Sequence, residues 1–197
     1  LYLNKDTDLN QKHMLPYINA QIRYRFTRSK YFTLKYDYDN TLPTPVQLIP
    51  VANLSNPLAT FIGNPNLNPN GTHTSSISFN NYNFRKRTGY NLYLKTNYFK
   101  NEIVSTSIYD ANGKRTSSFI NIDDTHSSSI GGSWNQNIKK EAHVFRFGMN
   151  LNGNYSFDKG FTNAVLYNAK SVRVTPSVYL SYDYGELLTL APSYKFT

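Results

Sequence analysis

The feature that most limits the fold is a long alternation of side-chain polarity at residues 143–157, HVFRFGMNLNGNYSF. Apolar side chains occupy almost every second position, and the residues between them are mostly polar or glycine. A period of two predicts a β-strand, because successive side chains point to opposite faces. Strands of soluble proteins usually run about 5–6 residues. The segment therefore predicts an unusually long strand with one apolar face and one polar face.

The same alternation recurs along the chain and predicts an all-β fold, because no helical period is evident. Short turns such as TRSK and KKEA separate some strands, Asn112-Gly113 has the composition of a tight turn, and residues 158–170 are predicted to form a mid-length loop. Longer connections alternate with the short ones, which places long loops at one end of a sheet. The predicted strands are 17–26, 31–38, 74–84, 90–110, 116–138, 143–157, 171–184 and 188–197.

The length of these strands favours a membrane. Fifteen residues at ~3.3 Å each, tilted by ~40°, rise roughly 38 Å, enough to cross a hydrocarbon core of ~30 Å. In lipid every backbone polar group needs an internal partner, so membrane-spanning strands close into a barrel. We predict an antiparallel transmembrane β-barrel of about eight consecutive strands. The alternative is a soluble sandwich or calyx, which the low charged fraction of 17% disfavours.

The chain has a formal net charge of +9, but its basic residues are scattered through the strands. This scatter does not predict nucleic-acid binding, which usually needs a basic patch or stripe. Basic residues on the polar face are expected to face the lumen. There they would line a path for anionic solutes, hold a plug by ion pairs, or simply solvate the wall. The candidates are Arg23, Arg25, Lys35, Lys95 and Arg146.

Residues 39–72 form the least regular segment and hold six of the nine prolines. Proline cannot donate to a sheet ladder, so the segment is predicted to be a long loop and not a central strand. Its many apolar residues argue against disorder. It is expected either to pack on itself or to contact a ligand, a surface lipoprotein or a plug. The contact candidates are Gln47, Leu48, Leu58, Phe61, Asn64 and Asn66.

Catalytic and metal-binding patterns are weak. Asp123, Asp124 and His126 are the nearest approach to a metal cluster, and a solvated loop edge explains them better. The chain has no cysteine, and neither a G-x-S-x-G elbow nor a phosphate-binding loop occurs. We therefore predict no enzymatic activity, no metal and no cofactor.

Residues 43–84 carry a more specific pattern. Pro43, Gln47-Leu48, Asn56-Pro57-Leu58 and the run GNPNLNP at 63–69 follow one another before the next strand. This order resembles the outer-membrane β-barrel family of Bacteroidetes-type TonB-dependent receptors. Members of that family often have an acidic residue after the final proline, where this chain has Asn70.

The resemblance implies a much larger parent, a barrel of about 22 strands filled by an N-terminal plug. Residues 1–197 would then be a slice of one barrel domain without the plug, and residues 39–72 would be an extracellular loop. Such a receptor binds a small substrate and admits it across the membrane, with energy supplied through TonB. Two alternatives stay open: a barrel that has lost transport and serves as a subunit of an envelope complex, and a self-contained eight-stranded barrel for adhesion or ligand binding.

Overall fold

One β-sheet dominates the computed structural model, which describes residues 12–52, 56 and 58–196. Leu54 and Pro57 of the predicted loop, and Thr197 at the end of the last predicted strand, lie outside this description. The described strands are β1 (Ile18–Arg25), β2 (Lys30–Thr41), β3 (Ala59–Phe61), β4 (Asn70–Asn83), β5 (Thr88–Lys100), β6 (Glu102–Tyr109), β7 (Arg115–Ile122), β8 (Thr125–Lys140), β9 (His143–Thr162), β10 (Val165–Tyr184), β11 (Leu188–Leu190) and β12 (Ser193–Lys195).

The wall of the sheet runs β1-β2-β4-β5-β8-β9-β10, and every pair is antiparallel. The short strands β11 and β12 follow one another along the free side of β10. Each of the eight predicted strands has a counterpart in this wall, so the predicted all-β antiparallel fold is confirmed. The β9–β10 ladder is the longest, with registered pairs from Thr162↔Val165 to His143↔Tyr184.

Two of the predicted strands are wrong, because each is divided into two strands in the structure. Residues 90–110 break at Asn101, and residues 116–138 break at Asp123-Asp124. Asn101 and Asp124 have positive φ angles of 55° and 64°, which Asn and Asp tolerate better than most residues. The backbone N–H of Asn101 donates to the Asp123 carboxylate at 2.8 Å. On one side of this break β5 pairs with β8, and on the other β6 and β7 form a separate hairpin.

The predicted loop at 158–170 is also wrong, because β9 and β10 continue through it and leave only Asn163 and Ala164 as the turn. Both residues have positive φ angles, 49° and 61°, as two-residue hairpin turns of type I′ require. The N–H of Asn163 donates to the carbonyl oxygen of Ser107 at 2.8 Å, and its side-chain oxygen accepts from the N–H of Tyr109 at 2.7 Å. These contacts with β6 favour a turn that the sequence, with Ala in place of Gly, does not signal.

The predicted long connection at 39–72 is confirmed in outline, since the described residues between Thr41 and Asn70 contain no wall strand. The connection contains a one-turn helix, α1 (Pro45–Leu48), that no helical period in the sequence indicates. Proline is favourable at the first helical position, and the side-chain oxygen of Gln47 accepts the N–H of Thr44 at 2.8 Å. Within the described residues, no helix is both long and apolar enough to cross a membrane.

The sheet is a single layer and has almost no core. Leu67, 1% exposed, and Pro43 are the buried aliphatic side chains among the described residues. Side chains on the apolar face stay open, with Ile22 65% and Val172 73% exposed. A soluble sandwich would bury this face against a second sheet. The apolar face therefore needs a partner from outside the sheet, as a membrane provides.

Candidate functional site

One face of the wall is apolar from the first strand to the last. The pairing registers align one residue from each of seven strands into a continuous lateral row. Apart from one glycine, every member of this row is aliphatic, and no member is charged. The row is Ile22, Leu34, Ile77, Leu94, Ile130, Gly153 and Val174.

Rings form a belt at each end of this apolar face. At the end that carries the long loop, the rings of Tyr38 and His73 lie 4.4 Å apart. At the end with the short turns, the rings of Trp134 and Phe147 lie 5.5 Å apart. Phe157 and Phe147 belong to opposite belts, ten residues apart on β9, which corresponds to about 25 Å of height for a strand tilted by ~40°. Transmembrane barrels have an apolar band of that height between aromatic girdles.

The opposite face of the wall is polar, and it holds all five predicted lumen-facing cations. The registers place Arg23 and Arg25 on it in β1, Lys35 in β2, Lys95 in β5 and Arg146 in β9. Its central lateral row contains only polar and basic residues. That row is Gln21, Lys35, Ser76, Lys95, Ser129, Asn154 and Arg173.

The cations of the polar face differ in their surroundings. The Arg23 guanidinium lies 5.3 Å from the centre of the Tyr31 ring, and its Nε donates to the Thr33 hydroxyl at 3.3 Å. Arg146 forms an ion pair with Asp183. At the turn end, a cavity of about 480 Å³ opens on this face. It is lined by Arg23, Arg25, Thr27, Arg28 and Tyr31.

Further cations, among them Arg173 and Arg28, belong to this face or its edge but lie outside the predicted set. Arg173 stands opposite Asn154 in the central polar row, and the alternation of residues 171–184 signals that position. Arg28 lies in the turn after β1 and contributes to the cavity. Because a turn has no two-residue period, the sequence gives no signal for the direction of Arg28.

The long loop packs against β7, and three of its six candidate residues hold it there, Asn64, Phe61 and Leu58. The carbonyl oxygen of Leu58 accepts the N–H of Arg115 at 2.9 Å. The side-chain amide of Asn64 donates to the carbonyl oxygen of Phe119 at 2.9 Å, and its backbone N–H donates to the carbonyl oxygen of Gln47 at 2.7 Å. The rings of Phe61 and Phe119 lie 5.4 Å apart, edge to face. The candidates vary in exposure, with Leu58 66% exposed, Asn66 exposed and Leu48 half-buried.

Asn121 on β7 joins the loop to the wall. Its side-chain nitrogen donates to the carbonyl oxygens of Asn68 at 3.0 Å and Asn101 at 2.7 Å, and its side-chain oxygen accepts the N–H of Asn68 at 2.7 Å. We expect Asn121→Ala to loosen the loop by ~0.5–1.5 kcal/mol, because it removes both side-chain hydrogen bonds to the exposed backbone of Asn68. Limited proteolysis of the folded protein should show faster cleavage within residues 42–69.

The matched control for this change is Asn112→Ala, at the exposed tip of the β6–β7 hairpin. It removes the same side chain in the same hairpin but none of the bonds to the loop. Equal cleavage rates in the two variants would contradict the anchoring role of Asn121.

Asp123, Asp124 and His126 do not converge on one point. The Asp123 carboxylate accepts the N–H of Asn101, and the Asp124 carboxylate accepts the Tyr98 hydroxyl at 2.9 Å. The bond from Tyr98 and the nearby Lys159 ammonium hold the pKa of Asp124 below its usual range. His126 lies against the ring of Phe157, at 5.2 Å, in the loop-end belt. The described part of the chain contains no group of three His, Cys, Asp or Glu residues that could hold a metal.

A single-layered sheet with an apolar band, two aromatic belts and a polar opposite face defines a transmembrane β-barrel wall. A family model described as "Outer membrane protein beta-barrel family" matches residues 3–194. The chain therefore belongs to that family and resides in the bacterial outer membrane. No curated protein and no solved structure matches it.

Proposed function

We propose that this chain forms part of the barrel of a TonB-dependent receptor that binds a small solute and admits it across the outer membrane. The observation that carries the proposal is the polar face, where unbroken rows of polar and basic side chains cross seven strands. Lys35 and Lys95 stand two strands apart in one row, or about 10 Å. A wall of this kind attracts anionic solutes.

The edges of the sheet support a barrel larger than the described strands. Among the described residues β1 pairs only with β2, and β11 and β12 pair only with β10. An eight-stranded barrel would join these edges to each other. Since a strand edge in lipid needs hydrogen-bond partners, further strands are expected to complete the ring.

The proposal includes an orientation and partners. Barrels of this kind have short turns in the periplasm and long loops outside, so the loop at 42–69 and the β6–β7 hairpin face the exterior. We propose a plug domain in the lumen, TonB as the energy-supplying partner, and a surface lipoprotein at the exterior loops. The protein is proposed to act without enzymatic chemistry and without binding nucleic acid.

The test uses the full-length protein in its native host. We expect deletion of its gene to reduce the uptake of one class of solute from a defined medium, and dissipation of the proton gradient to reduce wild-type uptake equally. Lys35→Gln combined with Lys95→Gln should lower uptake several-fold if the solute is anionic, because the lumen loses two cations. Solute depletion followed by mass spectrometry measures both effects.

The matched control combines Lys114→Gln with Arg115→Gln, which removes the same charge from the hairpin tip. It should leave uptake unchanged. A deletion strain with unchanged depletion of every solute, but with loss of co-purifying envelope proteins, would instead identify a structural subunit.

A further inference from the structure

The cations of this chain are sorted toward one end of the wall. The short turns at 26–29, 84–87, 141–142 and 185–187 all lie at the same end of the sheet. Eight cationic residues lie in these turns or within two residues of them, against three acids, Glu141, Asp183 and Glu186. Asp183 is already paired with Arg146. We call the eight cations the basic rim: Arg25, Arg28, Lys30, Arg85, Lys86, Arg87, Lys139 and Lys140.

The opposite end has no such excess. Its turns and hairpin carry acids interleaved with cations, and the Lys159 ammonium lies 3.5 Å from the Asp124 carboxylate. The acids there include Asp39, Glu102, Asp110, Asp123, Asp124 and Asp158, and the cations include Lys100, Lys114, Arg115, Lys159 and Lys170. Of the two ends of the described wall, the turn end therefore carries the net positive charge.

The rim is densest where the first two turns meet. The backbone N–H of Tyr82 near the end of β4 donates to the carbonyl oxygen of Ser29 at 3.0 Å, which places the turn 26–29 beside the turn 84–87. Six rim cations lie in or beside these two turns, and no acid does. The rim continues to Lys139 and Lys140 at the β8–β9 turn. The side-chain amide of Gln136 on β8 donates to the Lys86 carbonyl oxygen at 2.7 Å, so the end of β8 lies beside the turn 84–87. Crowded like charges repel one another, so the rim needs anions from outside the sheet.

The position of the basic rim along the membrane normal indicates which anions it meets. The Lys30 ammonium lies 5.2 Å from the ring centre of Phe26 and 5.9 Å from that of Phe79. Both rings belong to the turn-end belt on the apolar face, so Lys30 runs along lipid-facing surface and ends at the interface. The turns are two to four residues long, which keeps their cations within the headgroup layer of about 5–7 Å.

We propose that the lipid-facing and exposed cations of the basic rim, Lys30, Arg85, Lys86, Arg87 and Lys140, bind the phosphate groups of anionic phospholipids in the leaflet that contacts the turns. By the orientation given above, that is the inner leaflet of the outer membrane. Lys30 and Lys140 lie on the lipid-facing side of the wall, and Arg85, Lys86 and Arg87 are exposed at the tip of one turn. Clustered lysines and arginines beside a membrane attract anionic headgroups, and the attraction decays within a Debye length. The rim would thus anchor the barrel at a fixed depth.

Native mass spectrometry of the full-length protein tests this proposal. The protein is equilibrated with detergent micelles that contain equal amounts of phosphatidylglycerol and phosphatidylethanolamine, and the retained lipids are counted. We expect the wild type to retain phosphatidylglycerol several-fold over phosphatidylethanolamine at low salt. The variant Lys30→Gln, Arg85→Gln, Lys86→Gln, Arg87→Gln should retain the two lipids about equally. Added salt should reduce the wild-type preference, because exposed charges are screened.

The matched control removes four cations from the loop end: Lys100→Gln, Lys114→Gln, Arg115→Gln and Lys159→Gln. It has the same net charge as the rim variant and should keep the wild-type preference. The heat-dependent gel mobility of barrels reports folding of each variant, and Lys86→Gln with Arg87→Gln replaces the rim variant if four changes prevent assembly.

Three outcomes would overturn the proposal. A wild type without preference would mean that the rim does not select anionic lipid. A preference lost in the loop-end control instead would place the lipid site at the other end. A rim variant that keeps the preference but no longer retains an acidic periplasmic protein would make that protein the ligand of the rim.

Discussion

Leu151→Arg should abolish assembly of the barrel in the outer membrane. Leu151 is 55% exposed on the apolar face, and it stands opposite Gly132 on one side and Pro176 on the other. It lies midway along β9 between the two aromatic belts. A cation facing lipid near the middle of the bilayer costs ~2–4 kcal/mol, a large share of the net stability of a typical domain. The folded fraction in isolated outer membranes, read from heat-dependent gel mobility, measures the effect.

The neighbouring residue supplies the control. Asn150→Arg introduces the same side chain one position away, on the polar face opposite Ser133 and Ser177. We expect this variant to assemble, because its cation faces the wet side of the wall. Equal assembly of the two variants would contradict the assignment of the lipid-facing side.

Gly63→Ala should detach the long loop from the wall. A β-carbon at this position would lie 2.8 Å from both the carbonyl carbon and the amide nitrogen of Ile49, and the N–H of Gly63 donates to the carbonyl oxygen of Ile49 at 3.1 Å. Backbone atoms cannot move aside as a flexible side chain can. We expect a local cost of ~1–3 kcal/mol from overpacking, and faster hydrogen exchange at Ile62, whose N–H donates to the carbonyl oxygen of Ser117 at 3.0 Å.

Gly153→Ala is the matched control for this change. The added carbon would meet a side-chain methyl of Ile130 at 3.3 Å, on the lipid-facing side of the wall. Exchange at Ile62 should remain at the wild-type rate. Protection of Ile62 in Gly63→Ala equal to that in the wild type would show that the loop accepts the extra atom.

The two-residue alternation predicted the wall well, because each strand has one lipid face and one wet face. Residues such as Leu151 and Lys95 lie on the sides that the pattern assigns to them. The period carries no information once a strand leaves the membrane. The breaks at Asn101 and Asp123-Asp124, and the turn at Asn163-Ala164, depend on hydrogen bonds between segments far apart in sequence. Local residue patterns cannot reveal such bonds.

The residues of the candidate site likewise form two groups, one predictable from the sequence and one not. The polar-face cations were predictable, because their side is fixed by counting along a strand. The loop residues were not, because the roles of Asn64 and Gln47 depend on where the chain folds back on itself. Their side chains bond to Phe119 on β7 and to Thr44 within the loop. Prolines marked the segment as irregular, but they did not indicate what it packs against.

The break at Asn101 and Asp123, where the β6–β7 hairpin leaves the β5–β8 ladder, has a consequence for how the sequence of such a protein can diversify. The β5–β8 ladder is complete at Phe99↔Thr125, and the β6–β7 hairpin begins beyond it. Residues 102–122 therefore add nothing to the hydrogen bonds between the two wall strands. The tip of the hairpin, residues 110–114, lies beyond the contacts that β6 makes with the Asn163-Ala164 turn and that β7 makes with the long loop. Evolution is therefore free to lengthen, shorten or exchange this tip while the register of the membrane wall stays fixed. The outer surface and the membrane scaffold can thus change at independent rates within one polypeptide.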